Sequence, residues 1–147
     1  MKIAIGSDHG GFRLKTIISQ HLKEKGYEVV DCGTQNDIDS VDYPVYARLV
    51  SDVVVSKKVD LGIAICGTGI GVSIAANKVT GIRAALCHDV FSAKATREHN
   101  DSNVLCLGQR VVGEGLACLI VDTWLETSYQ GGRHAKRVAM LNESIID

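Results

Sequence analysis

Cys66 stands directly before a glycine-rich turn in the middle of the chain, in which Gly67, Gly69 and Gly71 alternate with other residues. Glycines let a backbone approach a ligand closely, and we predict that a helix begins near Thr68, with its free N–H groups and positive dipole end facing the same space. Such a turn favours an anion, or an oxygen that is becoming one. The same potential favours the thiolate form of a cysteine, which can act as a base or a nucleophile.

The same residues also have a purely structural interpretation. A G-x-G-x-G run after a strand is a weak signal, and cysteine is often a small core residue. Taken alone, the turn is better explained as a tight strand-to-helix connection with Cys66 as packing. A functional interpretation therefore depends on what the rest of the chain brings to the turn.

The segments around this turn alternate between strand-like and helix-like patterns, which predicts a parallel sheet with helices on both faces. The segment before Cys66, Leu61 to Ile65, is short, apolar and β-branched, as expected for a strand buried on both sides. The predicted strands are 2–6, 28–31, 61–65, 82–86 and 103–107, and the predicted helices are 12–25, one starting at Pro44, 68–78, 90–98, 114–125 and 133–145. We expect a Rossmann-like three-layer α/β sandwich with a five-stranded parallel sheet, formed by residues 1–147 as a single domain.

The last predicted helix, residues 133–145, has no strand after it and therefore no place on the sheet. Its apolar residues form one stripe that ends at Ile145, whereas Arg133 and Arg137 are four residues apart and project from a common face. We expect this helix to pack against a second subunit.

Composition excludes several classes of protein. The net charge of −1 argues against a nucleic-acid or membrane-surface partner. No apolar run reaches the length of a bilayer span, and the first residues enter a strand instead of a signal peptide, so we expect a cytoplasmic protein. The five cysteines form neither a metal-binding pair nor a disulfide framework, which predicts reduced thiols and no metal site.

Ligands of an open parallel sheet bind outside the carboxyl ends of its strands. The residues that follow the predicted strands at that edge are Asp8 and His9, Cys66 to Gly71, His88 and Asp89, and Gly108 to Arg110. His99 and Asn100 instead close the helix before the fifth strand, so periodicity alone places them at the opposite edge. Histidines, a thiol, a glycine turn and arginines together suit a phosphorylated small molecule that undergoes proton transfer.

Five separated motifs resemble the B-type ribose-5-phosphate isomerases, a family that also includes the galactose-6-phosphate isomerase subunits. These motifs are Ser7 to Gly11, Asp42 to Pro44, Cys66 to Gly71, Arg97 to Asp101 and Gly131 to His134. They occur in the same order along essentially the whole chain. Some members of this family use a glutamate as the base, and Cys66 places this chain with the cysteine branch.

The resemblance implies an aldose–ketose isomerase without metal or other cofactor, which interconverts ribose 5-phosphate and ribulose 5-phosphate through an enediolate. Cys66 would move the proton between C2 and C1, and His99 would assist ring opening. The implied catalytic residues are Cys66, Thr68 and His99. The implied substrate-binding residues are Asp8, His9, Tyr43, Gly67, Thr68, Gly69, Ile70, Gly71, Asn100, Arg110, Arg133 and Arg137.

Within that set, the resemblance implies that Asp8 holds the ring oxygen or a hydroxyl and that Tyr43 lines the sugar pocket. The amides of Gly67 to Gly71, with Asn100, would stabilise the enediolate oxygen. His9 and three arginines would hold the phosphate, and part of this set would come across a dimer interface. The implied partner is therefore a second copy of the chain, as a homodimer or a dimer of dimers.

Two alternatives stay open at this point. One is an isomerase for a six-carbon sugar phosphate, such as allose 6-phosphate or galactose 6-phosphate, since the motifs concern the phosphate and the reacting end. The other is a non-enzymatic nucleotide- or phosphate-binding module. The first turn lacks a G-x-G-x-x-G fingerprint, which argues against this alternative. His88 and His134 receive no role from the sequence.

Overall fold

The computed structural model describes residues 1–143 and places them in three layers, with helices on both faces of one sheet. The strands are β1 (Lys2–Ser7), β2 (Glu28–Asp31), β3 (Leu61–Cys66), β4 (Ala84–Leu86) and β5 (Val104–Gly108). The helices are α1 (Phe12–Glu24), α2 (Tyr43–Val55), α3 (Ile70–Ala76), α4 (Val90–Asn100), α5 (Glu114–Glu126) and α6 (Ala135–Asn142). The predicted fold class, with its five parallel strands, is confirmed.

The strand order explains why the turns after β1, β3 and β5 are neighbours. The sheet runs β2-β1-β3-β5-β4 with all strands parallel, so the direction of winding reverses between β1 and β3. Ser7 pairs with Ile65 and Cys66 pairs with Gly108, which aligns the carboxyl ends of these three strands. We call this side of the sheet the carboxyl edge and the opposite side the amino edge.

The fully buried strand β3 divides the core into two layers. Ile63 and Ile65 belong to the cluster formed with α1 and α5, whereas Ala64 and Cys66 belong to the cluster formed with α2 and α3. This alternation follows from the two-residue period of a strand. Cys66 is therefore the last residue of the central strand and faces the layer that contains α3.

Several element boundaries differ from the prediction by one to three residues. The helix α3 begins at Ile70 because Gly69, with φ of +77°, still belongs to the turn. The strand β4 begins at Ala84 because the amide of Ile82 donates to the carbonyl of Val79 in a tight turn.

The predicted helix over 133–145 is a 3₁₀ turn, Gly132–His134, followed by the short helix α6. Ile145, the predicted end of its apolar stripe, lies outside the described residues. Among the helices of residues 1–143, none has the length and apolar character needed to cross a bilayer.

Candidate active site

The turn between β3 and α3 wraps its backbone around the side chain of Cys66. The amide of Gly69 donates a hydrogen bond to Sγ of Cys66 at 3.1 Å, and the cysteine is 5% exposed. Gly69 adopts φ of +77°, and an added Cβ would lie 2.6 Å from a methyl group of Leu86, so only glycine fits here. The hydrogen bond from an N–H to sulfur is stronger when the sulfur carries negative charge.

The turn after β1 packs directly on this loop. An added Cβ on Gly10 would lie 3.4 Å from the amide nitrogen of Gly67, and one on Gly11 would lie 2.7 Å from the carbonyl oxygen of Ile65. Asp8 is buried, and its Oδ1 accepts a hydrogen bond from the amide of Gly11 at 3.1 Å. The two glycines therefore bring Asp8 and His9 to the same edge as the thiol.

His9 is held in one orientation by the loop that precedes α2. The amide of Val41 donates to Nδ1 of His9 at 3.1 Å. Because this nitrogen accepts, a neutral His9 carries its proton on Nε2 and can donate from that side. The helix cap after β1 is made by Asp8, so His9 is not used as a cap.

Two larger side chains lie against glycines of the Cys66 turn. The guanidinium of Arg110 is 3.5 Å from the position that a Cβ on Gly67 would occupy, and its own amide donates to the Gly67 carbonyl at 2.9 Å. The ring of Tyr43 is 2.7 Å from the corresponding position at Gly71. Any larger residue at Gly71 would displace Tyr43, and Arg110 adds a positive charge beside the turn.

The Thr68 hydroxyl and carbonyl have different partners. The hydroxyl oxygen accepts a hydrogen bond from the amide of Ile70 at 3.3 Å, next to the start of α3. The carbonyl oxygen accepts a hydrogen bond from Nε2 of His88 at 3.3 Å. His88, which the sequence placed at this edge without a role, is thus in direct contact with the turn.

His99 and Asn100 lie at the amino edge of their own chain. They end α4, and the carbonyl of Asn100 accepts a hydrogen bond at 3.1 Å from Nε of Arg83, which directly precedes β4. The length of the central strand, about 20 Å at 3.3 Å per residue, separates this edge from Cys66. The structure therefore places His99 and Asn100 where periodicity placed them.

The C-terminal turn brings further basic residues to His99. The rings of His99 and His134 are stacked, with centroids 4.3 Å apart and an angle of 17° between the planes. Arg137 donates to the carbonyl of Arg133 at 2.8 Å, which keeps both arginines in this cluster. Burial lowers the pKa of His134, and His99, Arg133 and Arg137 lower it further, so His134 is mainly neutral at pH 7.

In one chain, the residues selected from the sequence thus form two groups at opposite edges. The carboxyl-edge group consists of Asp8, His9, Tyr43, Cys66, Gly67, Thr68, Gly69, Ile70, Gly71 and Arg110. The amino-edge group consists of His99, Asn100, Arg133 and Arg137. In residues 1–143, no three His, Cys, Asp or Glu side chains are arranged to hold a metal ion.

Comparison with known proteins identifies the family. The model of the family described as Ribose/Galactose Isomerase matches residues 3–141. The chain belongs to this isomerase family. It is 56% identical over 137 residues to ribose-5-phosphate isomerase B of Escherichia coli (strain K12). The aligned residues cover 93% of this chain and 91% of that protein.

Two further comparisons agree with this family. The putative sugar phosphate isomerase YwlF of Bacillus subtilis (strain 168) is 54% identical over 143 residues, or 97% of this chain and 96% of that protein. The solved structure of ribose-5-phosphate isomerase B from Clostridium thermocellum superposes with a TM-score of 0.95 at 58% identity, covering 97% of this chain and 95% of that one. The family indicated by the five sequence motifs is confirmed.

Isomerisation of a sugar by proton transfer requires a base and a site that accepts charge on a substrate oxygen. The carboxyl-edge group supplies a thiol and backbone amides within one turn, with a guanidinium beside it. The amino-edge group supplies histidine and two further guanidinium groups.

Proposed function

We propose that this chain interconverts ribose 5-phosphate and ribulose 5-phosphate by proton transfer through an enediolate. Family membership and 56% identity to a ribose-5-phosphate isomerase B support the reaction. The observation that carries the mechanism is the hydrogen bond of 3.1 Å from the Gly69 amide to Sγ of Cys66. It places a potential base and an amide donor in the same turn, at the carboxyl end of the central strand.

In this mechanism Cys66 removes the proton from C2 and returns it to C1. A sugar C–H is a weak acid, so the developing charge on the neighbouring oxygen must be stabilised, and one well-placed donor typically contributes about a hundredfold or more in rate. The amides between Gly67 and Gly71 are the donors that we assign to this oxygen. Two amides of this turn already have partners, because the Gly69 amide binds Sγ of Cys66 and the Ile70 amide binds the Thr68 hydroxyl oxygen. The assignment therefore rests on the amides of Gly67, Thr68 and Gly71, and Thr68 helps to hold the turn in shape.

The phosphate would lie between Arg110 and the Nε2–H of His9. Arginine matches phosphate in charge and geometry, and both side chains are attached to the carboxyl edge. Contacts to a phosphate distant from the reacting carbons provide binding energy that orients C1 and C2. Asp8 would hold the ring oxygen or a hydroxyl, and Tyr43 would line the sugar pocket.

We propose that a second copy of the chain completes each site. In a two-fold homodimer, or a dimer of dimers, the amino-edge group of one subunit would face the carboxyl-edge group of its partner, giving two identical sites. Support comes from the placement of the groups at opposite edges of one sheet and from exposed apolar side chains on α3, α4 and α6. Ile74 is 57% exposed, Phe91 80% and Leu141 61%.

The amino-edge group would then contribute ring opening and additional phosphate binding. His99 would transfer the proton that opens the furanose, and the Asn100 side chain would join the amides around the enediolate oxygen. Arg133 and Arg137 would add two guanidinium groups to the phosphate. Their distance from Cys66 in one chain is the reason that these roles require the dimer.

We also propose one isomerase domain in the cytoplasm. The family match over residues 3–141 and the single five-stranded sheet support one domain. All five cysteines are free thiols, which is typical of proteins in a reducing compartment.

The reaction can be tested directly with several substrates. The purified protein is incubated in deuterated solvent with ribose 5-phosphate, allose 6-phosphate or galactose 6-phosphate, with and without a chelator. We expect ketose formation and deuterium at C1 for ribose 5-phosphate, unaffected by the chelator. Faster conversion of a six-carbon substrate would favour the larger sugar, and adenine nucleotide binding without any isomerisation would favour a binding module.

Arg137→Ala tests the proposed phosphate site. Loss of one charge-assisted hydrogen bond is expected to raise KM for ribose 5-phosphate by about ten- to a hundredfold, with a smaller change in kcat. Lys136→Ala, which removes the same charge from the adjacent exposed position of α6, is the matched control and should leave KM unchanged. An unaltered KM in Arg137→Ala would exclude Arg137 from the phosphate site.

A further inference from the structure

The peptide group between Thr68 and Gly69 carries a hydrogen bond at each end. Its N–H, on Gly69, donates to Sγ of Cys66 at 3.1 Å. Its carbonyl oxygen, on Thr68, accepts from Nε2 of His88 at 3.3 Å. The C=O and N–H of a planar trans peptide point in opposite directions, so a donor that fixes the oxygen also fixes the direction of the N–H.

We propose that His88 is a positioning residue that acts on Cys66 through the Thr68–Gly69 peptide group. Because Cys66 is the base of the proposed function, this role of His88 rests on that function. A hydrogen bond to a peptide oxygen polarises the group and strengthens its N–H as a donor, which favours the thiolate over the thiol. A carbonyl only accepts, so Nε2 carries a proton, and a neutral His88 is sufficient.

The residues around this peptide group explain why a hydrogen bond is needed to fix its orientation. Gly69 has no Cβ and adopts a positive φ, so the backbone next to it can rotate at low cost. His88 itself is attached to a fixed point, because Asp89 caps α4. The Asp89 carboxylate accepts hydrogen bonds from the amide of Ser92 at 2.7 Å and from the Ser92 hydroxyl at 2.8 Å. The anchored histidine thus restrains a peptide that glycine leaves free.

Other charged and titratable groups near the sulfur act independently of His88. Arg110 lies over Gly67, and Asp8 lies beside Gly10 on the neighbouring turn. Cys106 is fully buried on β5, and burial raises the pKa of its thiol, so it stays uncharged at neutral pH. A substitution of His88 leaves these three groups in place and therefore isolates the effect of the peptide.

The test compares His88→Leu, which removes the donor, with His88→Gln, whose side-chain amide can reach the same carbonyl. Alkylation of Cys66 by iodoacetamide is followed across pH by mass spectrometry of the peptides, with the partly exposed Cys118 on α5 as an internal reference. In His88→Leu, Cys66 alkylation near neutral pH should fall about three- to tenfold, with its profile moved to higher pH. The kcat for ribose 5-phosphate should fall similarly with KM unchanged, and His88→Gln should restore both.

A purely structural role for His88 would give a different result. Cys66 alkylation in His88→Leu that matches wild type, or no recovery in His88→Gln, would overturn the proposal. The shorter His88→Asn, which cannot reach the carbonyl, should behave like His88→Leu, and it repeats the test if leucine disturbs the fold. Alkylation needs no substrate, so a wild-type chain that fails to isomerise ribose 5-phosphate would overturn the proposed function while this test still applies.

Discussion

Cys66→Ala is expected to lower kcat for ribose 5-phosphate by about 10²- to 10⁴-fold, the range typical of removing a general base. The substituted side chain is buried but small, so the fold should persist with a loss of about 1 kcal/mol in the free energy of unfolding. Substrate affinity should change little, because the phosphate contacts lie on other residues. Steady-state kinetics, calorimetric titration with ribose 5-phosphate and thermal unfolding measure these three quantities.

Two further variants separate the acid–base role of the sulfur from its packing. Cys66→Ser can still accept a hydrogen bond from the Gly69 amide, but a serine hydroxyl is too weak an acid to supply an oxyanion base at neutral pH, so this variant should also be nearly inactive. Cys106→Ala removes a sulfur of comparable burial from the neighbouring strand and should lose stability without a large loss of kcat. Turnover close to wild type in Cys66→Ala would disprove the assignment of the base.

The sequence is informative about the carboxyl-edge group because its signals are local. The apolar strand, the glycines that follow it and the alternation of strands with helices predict which residues end parallel strands, and parallel strands end together. The structure adds why two of these glycines are needed. The position of Gly69 requires a positive φ, while Gly71 leaves space for the ring of Tyr43.

Contacts between segments that are distant in sequence could not be predicted in this way. His88 follows the edge strand β4, and its hydrogen bond to Thr68 depends on the order β3-β5-β4, which no spacing encodes. The stacking of His134 on His99 depends on how the C-terminal turn folds back over α4, through the hydrogen bond from the amide of Gln130 to the carbonyl of Glu98. These contacts exist only after the fold is complete.

His99 shows the same limit at the level of the subunit. Periodicity places it at the amino edge and the family resemblance places it at the site with Cys66. The structure of one chain agrees with periodicity, because Arg83, which precedes β4, binds the carbonyls of Asn100 and Asp101 at the end of α4. The two placements are compatible if the site is shared between subunits, and that condition has a direct test.

A mixture of two inactive variants should recover activity if each site is shared. One variant is Cys66→Ala, and the other combines His99→Asn with Arg137→Ala in one chain. In a two-fold heterodimer of these chains, one site receives all the substitutions and the other receives none. Random association makes about half of the dimers mixed, and half of the sites in those are intact, so co-refolded protein should reach about a quarter of wild-type activity.

Heterodimers purified through two different affinity tags should reach about half of the wild-type activity per dimer, because one of their two sites is intact. Each variant taken alone through the same refolding gives the baseline. A site built within a single chain would leave every chain in the mixture defective, so activity would stay at that baseline. Recovery of activity in the mixture therefore requires that the two groups of one site come from different subunits. The loss of activity in either variant by itself shows only that the substituted residues are needed.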